Sequence, residues 1–274
     1  MEIENIAFSG GGIGGLAYIG VLKLLEETGL LPKVYRYSGC SIGALFAFLI
    51  VIGYTAADLR TLMEHFRYTD IIDIQLLGIL ENMGLETGKH IVTLLRKMLY
   101  RKVGKYDITF DQLRQITGRE LYVNASCVET DSPEYFSPGG TPDMSVIKAV
   151  HMSIAIPPVF AAVRHKGKTY VDGGLHDPFP INHFDPRTTL GFLLANEGVA
   201  LDDVHPFVTH MYNIIRSLYR RIKYTQSYTN YTVVPIKTGT TTLKINLSKM
   251  ERMNTIDSGY ESFRKELFKI LNNK

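Results

Sequence analysis

Val34-Tyr35-Arg36-Tyr37-Ser38-Gly39-Cys40-Ser41-Ile42-Gly43-Ala44 decides how the rest of the chain is read. A short β-like run at 34–37 meets Gly39-x-Ser41-x-Gly43, and an apolar helical run follows over 44–52. Strand, Gly-x-Ser-x-Gly, helix is the setting of a nucleophile elbow. An attacking serine must stand proud of its strand on a sharp turn, commonly in strained backbone. Glycines at 39 and 43 leave room where strand and helix cross. The N-terminus of the helix turns its amides and its dipole toward the place where an oxyanion would form, which makes Ile42 a candidate donor. Glycine-rich turns with serine are common, so this pentapeptide alone also suits a plain strand-to-helix turn.

Outward on the N-terminal side, residues 3–8 read as a buried strand. Gly10-Gly11-Gly12-Ile13-Gly14-Gly15 follows, then an amphipathic helix over about 16–27 that ends at Gly29 and Pro32. The order is that of a βαβ opening. Gly10, Gly12 and Gly15 also match the dinucleotide fingerprint. That fingerprint needs an acid at the end of the second strand to hold ribose. The second strand ends instead in Ser38-Gly39-Cys40-Ser41, so nucleotide binding is set aside. Successive amides of Gly10, Gly11, Gly12 and Ile13 form a candidate anion cradle facing the elbow.

On the C-terminal side, 120–128 reads as a strand followed by a turn-rich segment at 129–140. Helix is expected over 143–152, and a strand at 168–171 runs into Asp172-Gly173-Gly174. An acid at the end of a strand lies on the edge where open α/β sheets place their sites. In isolation it suits an Asp-Gly turn. Together with Ser41 and the glycine loop it completes a parts list for acyl transfer: nucleophile, base and oxyanion donors.

These motifs resemble the patatin-like phospholipase family, in order and spacing over about residues 3–185. Gly10-Gly11-Gly12-x-x-Gly15 matches its oxyanion loop, Gly39-x-Ser41-x-Gly43 its elbow, and Asp172-Gly173-Gly174 its catalytic acid. Gly84-Leu85 with Gly88, Thr109-Phe110-Asp111-Gln112-Leu113, and Ser153-x-Ala155-Ile156-Pro157 with Phe160 are further family-like stretches. The family usually carries Lys or Arg where this chain has Gly14, so the loop lacks a nearby cation for an anionic headgroup. The resemblance implies a three-layer α/β/α fold with a central, mostly parallel sheet. It also implies a Ser-Asp dyad in which Ser41 attacks a fatty-acyl ester and Asp172 takes its proton, without metal, calcium or cofactor. His183, His205 and His210 lie downstream as an ordinary hydrolase histidine would, but eight histidines supply such a position by chance.

Composition argues for a packed globular protein. The chain has 274 residues, 45% hydrophobic and 21% charged, with a formal charge of +3, which gives no reason to expect nucleic acid. Two cysteines, Cys40 and Cys127, exclude a disulfide framework or a cysteine-rich metal site and fit a reducing compartment. No basic n-region opens the chain, and the longest charge-free apolar run, 42–54, is too short to span a bilayer. The expectation is one domain over 1–274, with 186–274 completing it, in a cytoplasmic protein that touches membranes peripherally. Residues 71–80 form a very apolar run suited to core, acyl pocket or lid. Between 204 and 250 there is no Asp or Glu. Phe207, Met211, Ile214, Leu218 and Ile222 make an apolar helical stripe there, Arg216, Arg220 and Lys223 lie on another face, and tyrosines are interleaved. Core packing with a solvated basic face is the plain reading, and docking on anionic lipid the sharper one. A helix over 257–271 closes the chain. The alternative function is a catalytically weak or inactive lipid-binding protein on the same fold.

Overall fold

The computed structural model describes residues 2–66, 84, 86–195, 206–238 and 247–272. The apolar run 71–80, Leu85 and His205 lie outside them. The strands are β1 (Asn5–Phe8), β2 (Arg36–Cys40), β3 (Glu120–Cys127), β4 (Ser132–Phe136), β5 (Val163–His165), β6 (Lys168–Asp172), β7 (Thr189–Ala195) and β8 (Thr232–Lys237). The helices are α1 (Ala17–Glu27), α2 (Ile42–Val51), α3 (Ala56–His65), α4 (Lys89–Val103), α5 (Phe110–Thr117), α6 (Val146–Ser153), α7 (Pro206–Thr225) and α8 (Lys249–Asn272).

Among the described residues one eight-stranded sheet runs β5-β6-β3-β2-β1-β7-β8, with β4 also paired to β3. Its centre is parallel: β1 lies between β2 and β7, β3 extends β2, and β8 extends β7. The remaining pairings, β3 with β4, β3 with β6 and β5 with β6, are antiparallel. The mostly parallel sheet expected from the βαβ opening is therefore present, with an antiparallel margin. Three of its strands were not expected: β4 inside the turn-rich 129–140, β5 before β6, and β8. Each is short and carries little alternation, and it pairs because a neighbour offers a row of amides and carbonyls.

The pleat sends Phe8 and Phe192 to one face and Ala7 to the other, as a two-residue period requires. On the first face Phe8 meets Tyr18 of α1 at 4.8 Å between ring centroids, Tyr18 meets Phe46 of α2 at 5.8 Å, and Phe192 meets Phe263 of α8 at 4.9 Å. These rings anchor the main core, where each buried side chain contributes on the order of 1.5–3 kcal/mol. The second face is covered more thinly. Phe179 and Ile181 cover Ala7, with Tyr228, Tyr231, Val233 and Leu193 around them. Layers on both sides of the sheet give the expected three-layer order.

Helix boundaries differ from the periodicity where capping outranks it. Thr109 closes a capping box with Gln112, so α5 begins at Phe110 as read. Ser145 caps α6 by accepting the Lys148 amide, which delays that helix beyond residue 143. The last helix starts at Lys249, well before the expected 257.

Candidate active site

Ser41 follows the last residue of β2 and precedes α2, at φ 55° and ψ −126°. An L residue avoids this region, and holding it there costs roughly 1–3 kcal/mol. The surroundings fix it from both sides. The Ser41 amide donates to Ser153 Oγ at 2.9 Å. The Ser41 carbonyl accepts the amides of Ala44 and Leu45 at 2.9 and 3.2 Å. Gly43 is required by close approach, since a Cβ there would run into the carbonyl oxygens of Phe8 and Ser9. One on Gly39 would meet the Gly43 backbone. The strained turn inferred from the pentapeptide is present, and Ser41 keeps 8% of its surface exposed.

Asp172 ends β6 and pairs with Ala125 of β3. Its amide donates to the Ala155 carbonyl at 2.9 Å. Oδ1 accepts the Gly174 amide at 2.8 Å, while Oδ2 closes no hydrogen bond of ordinary geometry. The residue is fully buried. That burial pushes its carboxyl from the usual 3.8 to about 7, and the Ser41 hydroxyl and the Gly174 amide oppose the rise. Ser41 is thus near enough to act on the carboxylate without being locked onto it.

The glycine loop stands against the same point. Gly11 and Gly12 line a crevice with Ser41. Gly10 does not serve as a donor, because its amide is already given to the Pro178 carbonyl at 2.8 Å. That corrects the four-amide cradle. Ile13 packs toward the main core, and it is not among the residues that line the crevice. Behind the loop, Tyr18 is buried and its hydroxyl donates to the Ser9 carbonyl at 2.7 Å, tying α1 to the turn. No histidine among the described residues lines the crevice. His183 sits edge-on against Tyr135 at 4.0 Å beside Asp177, and His210 is exposed.

Apart from Ile156, the remaining wall comes from α7, in an orientation opposite to the plain reading of its stripe. Ile214 and Leu218 face outward at 44% and 51% exposure. Tyr212 and Lys223 are buried, and Tyr212, Ile215, Arg216, Tyr219, Arg220 and Lys223 line the crevice. Tyr219 is only partly covered as a whole, but its hydroxyl end is deep. It approaches Cys40 Sγ at 4.0 Å, and a Cβ on Gly10 or Gly174 would collide with it. Burial pushes both the Cys40 thiol and the Tyr219 phenol well above their ordinary ranges, so both are neutral beside Asp172. With the ring seated, the crevice measures about 40 Å3. That suffices for a few waters and not for an acyl chain.

A patatin-like phospholipase family model matches residues 6–185. The chain belongs to this family. Among its relatives, an uncharacterised protein (R571) of Acanthamoeba polyphaga mimivirus is 24% identical over 99% of this chain and 96% of its own length. A probable lipid hydrolase (463L) of Invertebrate iridescent virus 6 is 28% identical, over 65% of this chain and 62% of its own. YqhO of Bacillus subtilis is 33% identical over 71% and 72%. In three dimensions VipD of Legionella pneumophila superposes with a TM-score of 0.69 at 18% identity, over 98% of this chain and 67% of VipD. ExoU of Pseudomonas aeruginosa gives 0.54 at 15%, and this chain spans 53% of it. These similarities show a shared fold.

Within the patatin-like motifs, Ser41, Asp172, Gly11 and Gly12 come together as the sequence suggested. Three contributors were not legible. The sequence offers Ser153 only as part of a family-like stretch, and its hold on the Ser41 amide depends on where α6 ends. Tyr219 and Lys223 belonged to a helix singled out for its charge, but which face it turns inward is a tertiary fact.

Proposed function

We propose that this protein is a serine lipid acyl hydrolase acting on fatty-acyl esters of phospholipids or related lipids. One observation carries the reading: a serine held at a strained elbow beside a fully buried aspartate with an unfilled carboxylate oxygen. In this scheme Ser41 Oγ attacks the ester carbonyl and its proton passes to Asp172. The amides of Gly11, Gly12 and Ile42 donate to the oxyanion in this scheme, a role supported by Gly11 and Gly12 lining the crevice with Ser41. When the tetrahedral adduct collapses, Asp172 returns the proton to the departing alcohol and the acyl group stays on Ser41. Water then attacks the acyl-enzyme and gives a proton to Asp172; as the bond from the acyl carbon to Ser41 Oγ breaks, Asp172 returns that proton to Oγ and the fatty acid leaves. A carboxyl near 7 is a stronger base than ordinary aspartate and still ionises at neutral pH.

Access to substrate is through contact with a lipid surface. Among the described residues no helix is long and apolar enough to cross a membrane. The outward side of α7 instead presents Ile214 and Leu218, with Arg221 exposed beside them. This combination suits insertion into an anionic interface.

The test is fatty-acid release from mixed phospholipid vesicles, with a calcium chelator present, by wild type, Ser41→Ala and Asp172→Asn. Release by wild type alone supports the dyad. If the folded wild type releases nothing and a fluorophosphonate probe fails to label Ser41, the hydrolase reading falls, and vesicle binding without turnover is the reading left to measure.

A further inference from the structure

The groups around the mouth of the crevice choose the substrate, because a lipid ester lies only a few bonds from its headgroup. The inference here rests on Ser41 being the nucleophile. Gly14, which stands where the family usually has a basic residue, is buried and brings no charge. Across the crevice, α7 brings Arg216, Arg220 and Lys223, and the last two are close to each other.

Lys223 retains 5% of its surface exposed, and its ammonium donates to the Leu194 carbonyl at the end of β7. An ammonium has three donors, so this neutral partner leaves two of them. Arg220 lies on the next turn, with its guanidinium 5.9 Å from the Tyr224 ring centroid. Among the described residues neither cation forms an ion pair with a carboxylate, and residues 204–250 contain no acid that could supply one. Burial lowers the Lys223 ammonium to about 8, and the charge of Arg220 adds to the lowering. A buried cation beside a second cation is costly until an anion arrives. Both line the same crevice as Ser41, Gly11 and Gly12.

We propose that Lys223 and Arg220 receive the phosphate of a phosphate-bearing lipid substrate and so favour such lipids over neutral glycerides. In effect α7 carries the cation that the glycine loop lacks. Entry of a lipid requires Tyr219 to leave its seat on Gly10 and Gly174, and the two cations ride on the same helix. Headgroup capture and opening of the site are therefore properties of one element.

Binding is tested apart from turnover on the Ser41→Ala protein by titration calorimetry. The probes are monomeric hexyl phosphate, inorganic phosphate and neutral monohexanoylglycerol. Hexyl phosphate is expected to bind more tightly than either of the others. Adding Lys223→Met should weaken it by about 10- to 100-fold, the range of a charge-assisted contact, and the exposed Arg220→Gln by less. Unchanged hexyl phosphate binding in both folded variants overturns the proposal. Inorganic phosphate binding as tightly as the alkyl ester overturns it in favour of a free-phosphate site. Turnover supplies the second arm, as the ratio of kcat/KM for monomeric dihexanoyl phosphatidate to that for dihexanoylglycerol. The ratio should fall at least tenfold in Lys223→Met. Equal cleavage of both lipids by wild type and variants defeats the headgroup assignment and leaves the hydrolase reading standing. Selective hexyl phosphate binding without any cleavage does the reverse.

Discussion

Replacing Asp172 by asparagine should make this protein more stable as the pH rises, while removing its activity. The carboxyl is fully buried and its pKa stands at about 7, against 3.8 for the ordinary group. Below 3.8 the folded and unfolded chains both hold it protonated, and its contribution to stability is fully present. As the pH climbs toward 7 the unfolded chain ionises it in water while the folded chain still holds the proton. Stability is lost across that window, and above about 7 the loss is complete. At 1.36 kcal/mol per pKa unit the loss amounts to about 4 kcal/mol. The side-chain amide of the Asp172→Asn variant never ionises. Its carbonyl oxygen can keep the bond from the Gly174 amide, and any cost of its unpartnered NH2 group is constant with pH. The stability difference between variant and wild type should therefore grow by about 4 kcal/mol in favour of the variant between pH 4 and pH 8. Urea denaturation curves at half-unit pH steps measure it, with all other titrating groups common to both proteins. Wild-type kcat/KM should instead follow ionisation of the folded carboxyl, with its midpoint near pH 7 and a plateau roughly one pH unit higher. Parallel stability curves for the two proteins would refute the claim that Asp172 is a desolvated base.

Ser41→Gly and Ser41→Ala both lack the hydroxyl, but only glycine relaxes φ 55°; Ser41→Gly should be the more stable by roughly 1–2 kcal/mol after its extra chain entropy, read as thermal midpoints, and equal midpoints would deny strain at the elbow. Ser153→Ala leaves the Ser41 amide without its acceptor; a loss of about 1–3 kcal/mol in stability is expected, with kcat falling more than KM changes, and an unaltered kcat would remove its positioning role. Gly43→Ala drives a Cβ into two backbone carbonyls and should destabilise by about 3 kcal/mol or more, whereas Gly139→Ala, with open space around it, should be near neutral in the same melting experiment. Leu218→Ser combined with Arg221→Glu should weaken sedimentation with anionic vesicles by about tenfold while hydrolysis of a soluble ester persists, and undiminished sedimentation would exclude the outward face of α7 as the lipid contact.

Local chemistry made part of this molecule legible from its residues alone. The elbow could be read because a strand, two glycines around a serine, and an apolar helix leave few sterically allowed paths. β6 could be read up to Asp172 because two glycines follow it, and β7 with its observed bounds because its seven residues carry no charge and only Thr189 is polar. Thr109 announced its helix because capping involves residues only three positions apart.

What escaped depends on partners far away in the chain. Short strands such as β4 and β8 exist because β3 and β7 offer them hydrogen bonds. The Gly10 amide looked available until Pro178, far along the chain, was placed beside it. The apolar stripe of α7 suggested which side would be buried, and the fold turned Tyr212, Tyr219 and Lys223 inward instead. The sequence by itself determined the βαβ opening, the sharp turn at Ser41 and the strand end at Asp172, because those follow from backbone sterics over a few residues. Tertiary structure alone decided which amides are free, how acidic Asp172 is, and what closes over Ser41, because desolvation and long-range contact are properties of the packed chain.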